Sequence, residues 1–435
     1  KKKDTERIQH THKERKKTKL LMASDTKSTD PWVAPASDRS LRTINPIRAI
    51  VDSLQIPKNP LKPLLKLSLG DPTVFGNMDV PDSVIDHVTS NLRTKKINGY
   101  LPSTGLPDAK RAVALKFSQP SAPLTENDVI INSGASGAIR MVIETLLNPG
   151  DNILLPQPGF PLYECCATSQ GGKCRFYNLR SDSNWEADLK EMESLPDQRT
   201  RAIVVNNPSN PCGSVYSNEH LAEIIKFANK HRLVIVADEI YANITFTGTK
   251  FIPIASLSKE VPVLSIGGLA KQYCVPGWRV GWILIHDRNQ RLKEVRKGLL
   301  HMSTLILGAN SIVQHSIPQI LHKTDKEYYK AFNKQLEMQA ENFMSGFRNN
   351  QIPGLQCIEP KGAMYCMVKV DATKFADIKD AFEFTQKLLL EEFVFVLPGA
   401  CFRAPGYFRA VFLAPKEIIK EAVQRIKAFC DRHRA

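Results

Sequence analysis

Seven short apolar runs between Val129 and Ile285 constrain this chain more than any other feature: Val129–Ile131, Asn152–Leu155, Arg175–Leu179, Ala202–Asn206, Leu233–Asp238, Val261–Ile266 and Arg279–Ile285. Several are nearly continuous in Val, Ile and Leu, the composition of strands covered on both faces. Helical spacing fills the gaps. Gly137–Leu147 is one such stretch, and His220–His231 puts Leu221, Ile224, Ile225 and Ala228 on one face behind Ser217, a capping residue. Alternating strand and helix predicts a doubly wound α/β domain, with ligands at the carboxyl ends of the strands.

Beyond Leu321 the pattern changes. A charged helix over Asp325–Arg348, a strand over Ala363–Val370, a helix over Ala381–Glu391 and an amphipathic helix over Pro415–Arg432 predict a smaller α+β domain. The segment near Leu61–Asp71 reads as the connection. The expected division is a basic, disordered tail at 1–44, an N-terminal arm and part of the small domain at 45–83, a large cofactor-binding domain at 84–322, and a small domain at 323–435. The net charge of +15 is uneven, because residues 1–21 hold nine Lys/Arg against Asp4, Glu6 and Glu14. That tail lacks aromatic interleaving, so solvation is favoured over nucleic-acid binding. Met22-Ala-Ser reads as a natural start, with 1–21 an upstream extension. No apolar stretch is long enough to span a bilayer. Nine cysteines without regular spacing fit a reducing compartment, cytoplasmic or else mitochondrial, with Cys165 and Cys166 packed on a helix.

The segment Ser265-Ile-Gly-Gly268-Leu-Ala-Lys271 ends a buried strand on a lysine, where burial would make the amine nucleophilic. Arg279, eight residues on, is spaced to return as an anion clamp. An amine beside a phosphate clamp points to pyridoxal phosphate held as a Schiff base, against the alternative of a solvated lysine. Asp238 ends the strand Val234-Ile-Val-Ala-Asp, where a buried carboxylate can pair with a pyridine nitrogen; Tyr241 lies three residues on. An ATPase metal strand would need Gly-x4-Gly-Lys-Ser/Thr, which is absent. Gly134-Ala135-Ser136-Gly opens a helix whose free amides and dipole favour a phosphate. In Asn206-Asn-Pro-Ser-Asn210-Pro-Cys-Gly, two prolines aim Asn210 at the strand-end crevice or simply fix a turn. Phe160, just past another strand end, could stack on a planar ring or pack in the core. Arg409, in Gly406-Tyr-Phe-Arg-Ala-Val-Phe, needs an anion: a ligand carboxylate or a structural ion pair.

Together these segments resemble the class I, fold type I pyridoxal-phosphate aminotransferases, most closely the tyrosine aminotransferases. The resemblance runs from about Asn45 to Arg432. It adds Asn45-Pro-Ile-Arg-Ala-Ile, Leu67-Ser-Leu-Gly70-Asp-Pro-Thr, Asn98-Gly-Tyr100-x-Pro-Ser-x-Gly and Val275-Pro-Gly-Trp-Arg to the segments above. It implies a large, mixed, mostly parallel seven-stranded sheet domain beside the small one. Lys271 would carry the cofactor, Asp238 would hold the ring nitrogen, Asn210 and Tyr241 the ring oxygen, and Phe160 would stack on the ring. Ala135, Ser136 and Arg279 would hold the phosphate, which Tyr100 would reach from the partner subunit of a homodimer. Arg409 would grip the substrate α-carboxylate near Gly70 and Asn210. No metal is implied. Many relatives have Ser or Thr where this chain has Gly268, so one phosphate contact is missing or supplied elsewhere.

The expected reaction is ping-pong transamination of an aromatic L-amino acid, tyrosine first, with a 2-oxo acid. The alternatives are a lyase on the same fold, separable by 2-oxo acid dependence, and a non-enzymatic regulator. A regulator would carry a helical DNA-binding module that residues 1–44 lack.

Overall fold

Apolar runs that alternate in register become a sheet buried on both faces. In β6 (Thr200–Asn206), Ile203 and Val205 point into one core while Ala202 and Val204 point into another. The computed structural model describes residues 34–54 and 62–435; the tail at 1–21 and position 61 of the expected connection lie outside the described residues. A two-residue strand, β1 (Leu65–Lys66), precedes the large sheet. That sheet then contains β2 (Val129–Ser133), β3 (Asn152–Gln157), β4 (Lys173–Arg180), β5 (Glu186–Ala187), β6, β7 (Val234–Asp238), β8 (Val263–Gly268) and β9 (Val280–His286). Their order is β2-β9-β8-β7-β6-β3-β4-β5. The seven expected runs are all present, and β5, too short to show a period, adds an antiparallel edge.

Strands β8, β7, β6, β3 and β4 are parallel neighbours, whereas β9 is antiparallel to both β8 and β2. This reversal brings the chain leaving β8 at Gly268 back into β9 at Val280, with Gly268 opposite Gly281. Lys271 and Arg279 therefore stay at the carboxyl end of the parallel strands, beside Ser133, Asn206 and Asp238. The helices follow the expected caps: Ser217 Oγ accepts from His220 N at 3.2 Å to start Asn218–Lys230. Cys165 and Cys166 are buried on the helix Leu162–Ser169.

A second sheet joins β10 (Leu355–Cys357), β11 (Tyr365–Val370), β13 (Leu397–Pro398) and β14 (Tyr407–Val411) in the antiparallel order β10-β11-β14-β13, while β12 (Val394–Phe395) pairs with β1. The helices Lys326–Asn350, Ala381–Glu392 and Lys416–Arg432 cover this sheet, sharing a core with Phe343, Phe384, Phe408 and Phe429. Part of the stretch expected to be disordered is ordered. Asp38–Arg42 is a short helix, and at 42–43 Arg42 Nε donates to the Ser169 carbonyl and Thr43 Oγ1 to Ser169 Oγ, each at 3.0 Å.

Candidate active site

Ten of the eleven predicted site residues line one cavity of about 250 Å³: Gly70, Ala135, Ser136, Phe160, Asn210, Asp238, Tyr241, Lys271, Arg279 and Arg409. The eleventh, Tyr100, lies elsewhere on this chain and is 92% exposed.

Asp238 is delivered by β7, whose four preceding residues are all apolar, so the carboxylate arrives where water does not. Burial raises its pKa. The Tyr163 hydroxyl, donating to Oδ2 at 2.6 Å, and Ile240 N, donating to Oδ1 at 3.2 Å, oppose that rise, as does the nearby Lys271 charge. Asn206, at the end of β6, donates from Nδ2 to the Asp238 carbonyl at 3.0 Å and accepts at Oδ1 from Asn210 N at 2.8 Å. One side chain thus ties the Asn-Pro loop to the strand that bears Asp238.

Asn210 in turn accepts at Oδ1 from Arg409 Nη1 at 2.9 Å, while Arg409 Nη2 donates to the Ser68 carbonyl. The guanidinium lies between the rings of Tyr365, at 4.5 Å, and Phe402, at 4.7 Å. It is buried, its Nε–H has no partner, and among the described residues it joins no ion pair. Burial lowers its pKa. A cation held in this way fits an incoming carboxylate rather than a structural ion pair.

Lys271 Nζ donates to the Gly70 carbonyl at 2.6 Å and stands 5.9 Å from the centre of the Tyr241 ring. On the same cavity lies the first turn of the helix Gly134–Leu146, where the Ala135 and Ser136 amides precede the first intrahelical bonds. Arg279, with a left-handed φ of 54°, folds over this helix start; a Cβ on Gly134 would lie 2.6 Å from its Nη2. Gly281 allows the approach from β9, since a Cβ there would lie 2.4 Å from Ala135 N. These groups fit pyridoxal phosphate: a dianion cradle at the start of the helix, a buried carboxylate at the end of β7, and Phe160 and Tyr241 on the same cavity.

The family model described as aminotransferase class I and II matches residues 62–426. The chain is a class I and II aminotransferase. Among its relatives are a tyrosine aminotransferase of Mus musculus, 45% identical over 92% of this chain and 88% of that one, and one of Dictyostelium discoideum, 45% identical over 94% and 99%. The crystal structure of tyrosine aminotransferase from Leishmania infantum superposes with a TM-score of 0.89 at 36% identity, covering 93% of this chain and 99% of that chain. As a member of this family, the aminotransferase uses pyridoxal 5′-phosphate.

In the aminotransferase, Gly268 has no room for a side chain. A Cβ there would lie 2.8 Å from the Val280 carbonyl and 3.0 Å from Gly281 Cα, so β8 and β9 approach too closely for a serine or threonine. Sequence reasoning missed Tyr163, Asn206, Ser68 and Tyr365. Tyr163 stands three residues after Phe160 in a segment already singled out, but nothing local marks its hydroxyl as a partner of Asp238. Tyr365 comes from β11 in the other sheet, and its hydroxyl lies 2.6 Å from that of Tyr241.

Proposed function

We propose that this aminotransferase takes the amino group from an aromatic L-amino acid, tyrosine first among them, and passes it to a 2-oxo acid in a ping-pong cycle. The observation that carries the reading is Arg409: a buried guanidinium that joins no ion pair among the described residues, on the same cavity as Lys271 and Asp238. Relatives named tyrosine aminotransferase, alike over nearly the whole chain, support the choice of donor.

The side chains divide the work. Arg409 binds the α-carboxylate in a fork, and Asn210 orients that fork through Nη1. Arg279 and the amides of Ala135 and Ser136 hold the cofactor's phosphate, while Phe160 packs against its ring. When bound, pyridoxal phosphate supplies an electron sink for the charge left on the substrate's Cα. Asp238 sustains that sink by holding a proton at the ring nitrogen, and Tyr241 and Asn210 direct hydrogen bonds to the ring oxygen. Lys271 is the base that removes the Cα proton and holds it at Nζ. Lys271→Ala should retain cofactor but lose turnover by orders of magnitude; normal turnover in that variant would sink the mechanism.

The proposal includes a homodimer in which Tyr100 reaches the phosphate of the partner's site. Its 92% exposure on the single chain, together with Leu305 and Ile306 at 72% and 70%, supports a covered surface.

The deciding experiment is the absorbance of the cofactor-loaded protein before and after L-tyrosine is added without any 2-oxo acid. Loss of the visible band with growth of a near-ultraviolet band is expected. A visible band that tyrosine leaves unchanged would reject the donor.

A further inference from the structure

We propose that Tyr365 is a positioning residue for this reaction: its hydroxyl donates to the Tyr241 hydroxyl, so that Tyr241's own proton is aimed into the cavity at the cofactor's ring oxygen. The inference rests on the reading of Tyr241 as a donor to that oxygen.

The two hydroxyls are 2.6 Å apart, and the rings meet edge to face at 85° with centroids 5.6 Å apart. Both residues are buried, at 3% and 2% exposure. Gly70 leaves the room this requires, because a Cβ there would lie 2.1 Å from the Tyr365 hydroxyl. The pair also bridges the two larger sheets: Tyr241 follows β7, and Tyr365 begins β11.

A phenol has one proton to give and lone pairs to receive. Were Tyr241 the donor of this bond, its proton would be committed to Tyr365 and none would remain for a ligand. With Tyr365 as donor, Tyr241 accepts from behind and gives forward. Charge favours the second arrangement. The Arg409 guanidinium carbon stands 4.5 Å from the centre of the Tyr365 ring, closer than Lys271 Nζ stands to the Tyr241 ring, at 5.9 Å. Positive charge over the face of a phenol draws electron density from it and makes its hydroxyl the better hydrogen-bond donor. At Tyr241 the Asp238 carboxylate, whose charge resists proton loss, outweighs the opposing Arg409 charge, and the pKa is well above the usual tyrosine range, chiefly through burial. A donor that is itself receiving a hydrogen bond gives a stronger one, by about 10–30% along such a chain.

Tyr365→Phe tests this, because it removes one oxygen and keeps the ring under Arg409. The measurements are the pH midpoint of the visible absorbance of the cofactor-loaded protein, and cofactor affinity by equilibrium dialysis. Both are made for the wild type, Tyr365→Phe, Tyr241→Phe and the double variant. Donation to the ring oxygen stabilises its anion and lowers the pH at which the chromophore loses its proton. Tyr365→Phe should therefore raise the midpoint and weaken cofactor binding about 3- to 10-fold, the loss expected for one hydrogen bond. The double variant should match Tyr241→Phe alone, because Tyr365 acts only through Tyr241. A wild-type midpoint in Tyr365→Phe, with Tyr241→Phe shifted, would make Tyr365 a packing residue and overturn the proposal alone. Equal shifts from Tyr365→Phe with and without the Tyr241 hydroxyl would overturn it too. A wild-type midpoint in Tyr241→Phe would overturn the reading of Tyr241 beneath it.

Discussion

Arg409 and Asp238 are opposite charges buried at one cavity without pairing with each other; Arg409 depends on neutral neighbours until a ligand arrives, and Asp238 on hydrogen bonds and the nearby Lys271 charge. Arg409 makes do with the Asn210 side chain, the Ser68 carbonyl and two aromatic faces. Arg409→Leu should weaken amino acid and oxo acid alike by about 2–5 kcal/mol, the cost of leaving a buried carboxylate unpaired. Half-reaction titrations with both substrates would measure it, and unchanged kinetics would make Arg409 structural. Asp238 leans on Tyr163, whose bond holds its pKa down against burial. Without that hydroxyl, Asp238 keeps its proton to higher pH and meets the ring nitrogen as an anion less readily. Tyr163→Phe should shift the acid limb of the kcat profile to higher pH and cost roughly 10-fold in turnover at neutral pH. A superimposable pH profile would show that Tyr163 does not tune Asp238.

At the scale of an element, the last residue of β7 and the one that follows it send consecutive carboxylates to opposite sides, continuing the alternation of side chains along a strand. Asp238 faces the active site. Glu239 faces a separate cavity of about 560 Å³ lined in part by Trp282, and its Oε1 accepts from Ile254 N at 3.1 Å. Burial pushes the Glu239 carboxyl up to about 7 from its usual 4.5, opposed by Ile254 N–H and the neighbouring Ser265 hydroxyl. Between those values the folded chain keeps a proton that the unfolded chain releases. The stabilising contribution is therefore complete below about 4.5 and is lost as pH rises through about 7. Glu239→Gln should flatten the fall in thermal stability over that window, a difference of order 1–3 kcal/mol. Melting curves of the cofactor-free variant and wild type from pH 4 to 8 would check it, and parallel curves would refute it. The connection from β8 to β9 works at the same scale, since an antiparallel return keeps both Lys271 and Arg279 at the carboxyl ends of the parallel strands.

For the whole molecule, the proposed homodimer gives the exposed side chains of Tyr100, Leu305 and Ile306 a shared purpose. Replacing Leu305 and Ile306 with aspartate should halve the mass seen by sedimentation and remove most turnover, because the partner's Tyr100 would leave the phosphate. A monomeric wild type with full activity would refute that arrangement. The sequence by itself determined the sheet, because strands covered on both faces must be apolar throughout, and such runs are legible without knowing what covers them. It also marked Lys271, Asp238, Asn210 and Arg279, since each sits within a few residues of a strand end or turn that local chemistry fixes. Tertiary structure decided the rest. Tyr365 meets Tyr241 across 124 residues and two sheets, and Asn210 meets Arg409 across 199. No periodicity records such encounters, because they depend on how one sheet packs against the other. That Arg409 joins no ion pair among the described residues is likewise a property of everything packed around it, and Gly268 is fixed by the proximity of β9 rather than by any turn of its own.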